Sequence, residues 1–247
     1  MQIPRLRRGS PSHLWASIVL AVYCSGPAIA ATPFWSEGFE AYALGDVNLQ
    51  GNWWAPLRSW PVSTINPSEG NQHLRGQADG EGLSLVYALN ISDPQEEAFL
   101  SILAEVSITP GAAWTIVAQS SSANRSITSV RFEPNGTISA VTDQGYTNTG
   151  ATYPLNEYFS LALTVRRADK FYDLRLNGDP VFSAQGFHDS IDQLVILNYE
   201  PVVGPTIDVD AIRMYDSAAP IIPEPGTLHL CLAPVMAWLF KRRTKRQ

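Results

Sequence analysis

The chain has 247 residues, 17 Lys and Arg against 23 Asp and Glu, and two cysteines. Eight of its cations lie in the first thirty and last seven residues, so residues 31–222 keep nine cations against twenty-two acids, a net charge of about −13. A body this anionic, with no basic patch among its aromatics, excludes nucleic acid as a partner. Cys24 and Cys231 both lie outside it, so it has no disulfide and depends on its core.

At the N-terminus Arg5, Arg7 and Arg8 precede an apolar run from Leu14 to Cys24, and Ala28-Ile29-Ala30 supplies the small residues a signal peptidase requires. This order predicts a secretory signal peptide over residues 1–30, cut after Ala30. An uncleaved anchor helix is the alternative, against which stand the shortness of the apolar run and the Gly26-Pro27 break. A lipoprotein reading of Cys24 is disfavoured by Tyr23, where a small residue is expected.

Residues 31–216 alternate apolar and polar side chains with the period of a strand. Predicted strands are Gly38–Tyr42, Leu83–Leu89, Leu100–Ile108, Trp114–Gln119, Ser126–Phe132, Gly136–Val141, Phe159–Val165, Phe171–Leu176, Leu194–Asn198 and Thr206–Tyr215. Leu100, Ile102, Ala104, Val106 and Ile108 share one face, as do Phe159, Leu161, Leu163 and Val165. Asn177-Gly178 is a two-residue hairpin turn into Val181-Phe182, because both residues tolerate positive φ. Only His188–Gln193 suggests a helical turn. So many strands in one domain predict an all-β, antiparallel β-sandwich or barrel. Asn90-Ile91-Ser92, Asn124-Arg125-Ser126 and Asn135-Gly136-Thr137 fit a glycosylation sequon and are read as turns.

Three stretches of this body are similar to concanavalin A-like and laminin-G-like jelly rolls. They are Phe39 to Gly45 followed by Trp53-Trp54, the Phe159–Phe182 hairpin region, and Ile207-Asp208-Val209-Asp210-Ala211-Ile212-Arg213-Met214. The resemblance implies a jelly-roll sandwich over nearly all of residues 34–216, with the first and last strands side by side. It also implies a structural calcium ion of the kind members of that fold often carry.

Residues 217–222 read as a short spacer, and Pro223-Glu224-Pro225-Gly226 opens the last segment. An apolar run reaches Phe240, followed by Lys241, Arg242, Arg243, Lys245 and Arg246. As a helix the fifteen residues 226–240 would be roughly 22 Å long, short against a bilayer core of about 30 Å, and Pro234 weakens the helix. The cations resist translocation and would stay cytoplasmic, leaving the body outside. Motif, apolar helix and basic end together resemble the PEP-CTERM sorting domain of Gram-negative bacteria, over about a tenth of the chain. The resemblance implies recognition of Pro223-Glu224-Pro225 by an exosortase and removal of the tail. An ordinary C-terminal membrane anchor is the alternative.

Candidate sites in the body are few. Trp35, Trp53, Trp54 and Trp60 crowd its start. Exposed indoles stack on sugar faces, but Trp is also a core residue. Glu40, Asp208 and Asp210 would meet if the first and last strands pair, and such hard oxygen ligands suit calcium. No acid-rich alternating strand of a glycosidase occurs, and Asp208-Val209-Asp210 lies at the wrong place for one. His188-Asp189-Ser190 is too compact for a triad, and no nucleophile elbow, zinc pair or phosphate loop is present. The reading is a non-catalytic exported protein, tethered at the inner membrane and then released to the envelope or matrix, with extracellular polysaccharide as a ligand. The rival is a polysaccharide-active hydrolase or lyase of the concanavalin A-like group.

Overall fold

A computed structural model describes residues 32–89, 99–120, 125–142, 145–166, 170–185 and 191–216. The leader with Ala28 and Ala30, the sorting motif, the basic end, the sequons at Asn90 and Asn124, and His188-Asp189-Ser190 lie outside the described residues. No helix among the described residues is long and apolar enough to cross a membrane.

The first strands in chain order are β1 (Trp35–Glu37), β2 (Gly45–Asp46), β3 (Trp53–Leu57), β4 (Pro61–Ser63), β5 (His73–Asp79) and β6 (Leu83–Ala88). Next come β7 (Phe99–Ile108), β8 (Trp114–Ser120), β9 (Arg125–Phe132), β10 (Thr137–Thr142) and β11 (Gly145–Thr152). The last are β12 (Phe159–Arg166), β13 (Phe171–Leu176), β14 (Asp179–Gln185), β15 (Gln193–Asn198) and β16 (Val203–Tyr215). They form two antiparallel sheets facing each other as a sandwich. The nine-stranded sheet runs β14-β13-β12-β7-β16-β5-β4-β2, with β1 also on β16, and the seven-stranded sheet runs β11-β10-β9-β8-β15-β6-β3.

The predicted faces lie where alternation puts them. Leu100, Ile102, Ala104, Val106 and Ile108 of β7 and Phe159, Leu161, Leu163 and Val165 of β12 enter one core, which the seven-stranded sheet closes with Leu85, Trp114, Ile116, Phe132 and Ile196. Asn177 and Gly178 have φ of 50° and 87°, both left-handed, and join β13 to β14 as a tight hairpin.

The first and last strands do pair, Trp35 opposite Met214 and Glu37 opposite Ile212. The predicted strand Gly38–Tyr42 is not one, because its residues turn. A Glu37 carboxylate oxygen accepts the Phe39 N–H at 2.8 Å and its other oxygen the Tyr42 hydroxyl at 2.6 Å. Phe39, at φ 61°, then swings its ring into the core.

Strand β16 holds the nine-stranded sheet together. It pairs with β7 along one side and with β5 through Val209, and its register shifts between Asp210 and Arg213. Ala211 absorbs this bulge at φ 48°, and the Asp210 carboxylate accepts the Ala211 N–H at 2.7 Å.

Candidate functional site

Strand β8 turns Trp114, Ile116 and Ala118 into the core, so Thr115 and Val117 face outward. Register carries that outer face across the seven-stranded sheet. Val117 lies opposite Val195, Val195 opposite Val86, and Val86 opposite Trp54. In the adjacent row Leu197 and Arg131 flank Thr115. Val86, Val117 and Val195 form a second apolar cluster, with Leu197 packed on it, separate from the sandwich core.

Aromatic side chains rim this face. The Tyr146 hydroxyl hydrogen-bonds the Ser129 hydroxyl at 2.9 Å, which draws the ring back over the sheet. Trp54, Tyr146 and Tyr199 are each half or more exposed. A trough of about 380 Å³ is lined by Ala113, Thr115, Val117, Arg131, Tyr146, Leu197, Tyr199 and Glu200, within the size range of small-ligand sites.

The polar groups of the trough are held rigidly. Arg131 donates from Nη2 to Glu200 Oε1 at 3.1 Å, its Nε lies 3.3 Å from Glu133 Oε2, and its guanidinium sits 5.9 Å from the Tyr146 ring centre. Glu200 Oε2 accepts the Ala113 N–H at 2.8 Å, and buried Asn198 donates to the Ala113 carbonyl at 2.6 Å. Among the described residues Arg131 is the only cation of the lining and Glu200 its only carboxylate. Flat apolar ring faces beside fixed donors and acceptors suit a ligand with C–H faces and hydroxyl edges.

The sequence-predicted residues fall in several places. Trp54 lies on the outer face described above, at the β3 end of the row through Val86. Trp53 and Trp60 are corrected: they are 1% and 0% exposed and belong to the core, so neither presents its ring to a glycan. Trp60 packs edge-on against Trp114, and Trp53 against Phe39 and Tyr87. Trp35 is half-buried, with its ring centre 4.6 Å from that of Tyr87. Sequence reasoning missed Tyr146, Tyr199, Arg131 and Glu200. Tyr146 sits in a strand with no apolar alternation, and the other three meet only through strand pairing.

The calcium candidates are also corrected, because the structure does not assemble Glu40, Asp208 and Asp210 into one site. Among the described residues no group of three or more acidic, histidine or cysteine side chains could hold a metal ion. Instead each carboxylate is engaged by protein donors. Glu40 Oε1 accepts the N–H groups of Asn71 and Gln72 at 2.6 and 2.9 Å, which hold its carboxyl below the usual range. Asp210 Oδ2 accepts the Ser68 and Glu69 N–H groups, each at 3.0 Å, and the Ser68 hydroxyl at 2.9 Å. Two of the three acids therefore fasten the β4–β5 loop.

Asp208 serves a different partner. Arg75 grips it with two bonds, at 2.6 and 2.7 Å, and buried His73 approaches through Nε2 at 3.2 Å. Burial pushes the Asp208 carboxyl up, but the Arg75 and His73 hydrogen bonds outweigh it and leave it below the ordinary value. Opposite Asp210 across the β7–β16 ladder sits Glu105, whose carboxyl burial pushes up. Nearby Tyr158 is raised well above the ordinary phenol range, first by burial and then by the charges of Asp208 and Asp210.

No protein-family model matches the sequence, and no curated protein matches it. Solved structures do match. A sialidase shares 12% identity at a TM-score of 0.57 over 75% of this chain. A carbohydrate esterase of the Shiga toxin-encoding bacteriophage phi24B shares 11% at 0.55, with 75% of this chain and 98% of that one covered. The binding domain of botulinum neurotoxin serotype D shares 14% at 0.52, again over 75% of this chain. This chain spans 19% of the sialidase and 48% of the toxin chain. At such identities the likeness shows the β-sandwich fold alone.

Proposed function

We propose that the protein is a non-catalytic, exported component of the cell envelope or extracellular matrix, and that the outer face of its seven-stranded sheet binds a polysaccharide. The observation that carries this reading is the trough between Tyr146 and Tyr199, with Trp54 exposed on the same sheet face. Sandwiches of this shape in a sialidase and in a toxin binding domain lend it support. Charge selects the ligand class. Among the described residues the one cation of the lining lies between two carboxylates, Glu133 and Glu200, and so offers no spare positive charge to a uronate or sialate. A neutral polysaccharide fits it.

Export and retention belong to the same proposal and rest on the sequence ends. Signal peptidase removes the leader, the tail tethers the body at the inner membrane, and an exosortase reads Pro223-Glu224-Pro225 before release. Replacing Glu224 with Ala should leave an unprocessed, membrane-retained form. Unchanged electrophoretic size and location would count against the motif.

The binding reading is tested by a glycan array probed with residues 31–220. Neutral polysaccharides should bind, and Tyr199→Ala should lose the signal. Absence of binding to every polysaccharide overturns the carbohydrate reading, and turnover of a bound polymer overturns the non-catalytic one.

A further inference from the structure

Strand β8 lies between β15 and β9, and register sets its outward residues into two rows beneath the trough. Leu197, Thr115 and Arg131 form one row, and Val195, Val117 and Ser129 the other. The β15 side is apolar and the β9 side polar, with Thr115 on the boundary. Beside it along β8, Val117 packs with Val195 and Val86 in an apolar cluster. Valine has the outline of threonine, so Val at position 115 would satisfy packing alone. Thr115 instead places a hydroxyl where the residue is only 6% exposed, a cost to folding unless that hydroxyl finds a partner.

Most other polar groups of the trough are engaged within the protein. Glu200 takes Arg131 Nη2 on one oxygen and the Ala113 N–H on the other, and the Ala113 carbonyl takes the Asn198 amide. The Tyr146 hydroxyl is bonded to Ser129. Tyr199 and the Arg131 side chain are 66% and 35% exposed, so water meets their remaining polar atoms. Among the described residues the Thr115 hydroxyl has no hydrogen-bond partner, and it lines the trough. Position 115 is therefore where this face departs from what packing requires, and such departures mark functional sites. We infer that Thr115 determines which sugar the trough accepts, an inference that rests on the polysaccharide reading of this site.

A neutral pyranose seated there sets C–H groups against Leu197 and the Tyr199 ring, and one ring hydroxyl against Thr115. The Thr115 hydroxyl can both donate to it and accept from it. A sugar with that ring hydroxyl inverted covers the trough just as well but leaves Thr115 unpaired beneath it. The unmade bond, in a place the bound sugar closes to water, is the discrimination.

The test is affinity electrophoresis of the full chain in detergent through soluble glucan, mannan and galactan, whose sugars differ in the setting of ring hydroxyls. Wild type should favour one of these polymers. Thr115→Val should weaken binding to that polymer by about fivefold, the effect of one neutral hydrogen bond, and narrow its lead over the others. Thr115→Ser, which keeps the hydroxyl, should bind as wild type does, and thermal melts should show both variants folded. If Thr115→Val binds with wild-type strength and preference while Tyr199→Ala loses binding, the inference is overturned and the trough reading stands. Equal loss in Thr115→Ser, or a wild type without preference, overturns it likewise. A wild type that binds none of these polymers overturns the polysaccharide reading and this inference with it.

Discussion

The six-membered ring of Trp60 lies against the backbone of Gly76, so close that a Cβ built on Gly76 would sit 2.5 Å from ring carbon Cζ3. Strand β5 otherwise sends Leu74 and Ala78 into the core beside it, and the missing side chain at Gly76 is the space the indole occupies. Gly76→Ala should therefore destabilise by overpacking, by about 1–3 kcal/mol, read as a fall in the denaturant midpoint with unchanged slope. A neutral result would show that Trp60 has room to shift.

The tryptophans of β3 should separate cleanly. Trp53→Ala empties a site that is 1% exposed, and loss of such a ring costs about 3–5 kcal/mol. Trp54→Ala removes a half-exposed ring on the outer face. It should leave the melting temperature nearly unchanged while weakening polysaccharide binding by about tenfold, or roughly 1.4 kcal/mol. Affinity electrophoresis and thermal melts on the same two variants check the pair.

Acid should act through Asp208. Its carboxyl is held below the ordinary value in the folded state, so its stabilisation is complete above the unfolded carboxylate pKa and is lost as pH falls through the depressed value. Asp208→Ala strands the Arg75 guanidinium, which is only partly exposed, at a cost of about 3 kcal/mol. Its stability profile should flatten on the acid side relative to wild type, measured as unfolding midpoint against pH.

Glu105 should show the opposite sign. Burial raises its carboxyl, and it faces Asp210 directly across the ladder. Its contribution is favourable below the unfolded pKa and is lost as pH rises through the raised one. Glu105→Gln should stabilise the neutral protein by about 0.5 kcal/mol, and the gain should vanish in acid. A destabilised variant at pH 7 would show that the Ser160 hydrogen bond and the Arg213 charge outweigh burial and the Glu69 and Asp210 charges there.

The strands legible in the sequence were those whose inward residues are large, as in β7 and β12, where Val, Leu, Ile and Phe alternate with polar residues. Strand β5 escaped because two of its inward residues are Gly76 and Ala78, kept small for Trp60. Strand β11 escaped because its exposed edge position imposes no apolar period. The tryptophan cluster was visible but its orientation was not. Burial of Trp53 and Trp60 depends on which sheet each strand joins, and Trp54 alternates outward beside Trp53. The trough was invisible, since Arg131 and Glu200 are 69 positions apart and meet only because β8 lies between β9 and β15.

The central place of β16 has a kinetic corollary. It separates β7 from β5 in the nine-stranded sheet, yet it is the last strand of the described body, spanning residues 203–215. Until it emerges from the ribosome the two halves of that sheet have no shared hydrogen bonds, and closure must await pairings of high contact order. The β8–β11 and β12–β14 meanders join consecutive strands and can form earlier, so the nine-stranded sheet is the part of the sandwich that waits longest for its own sequence.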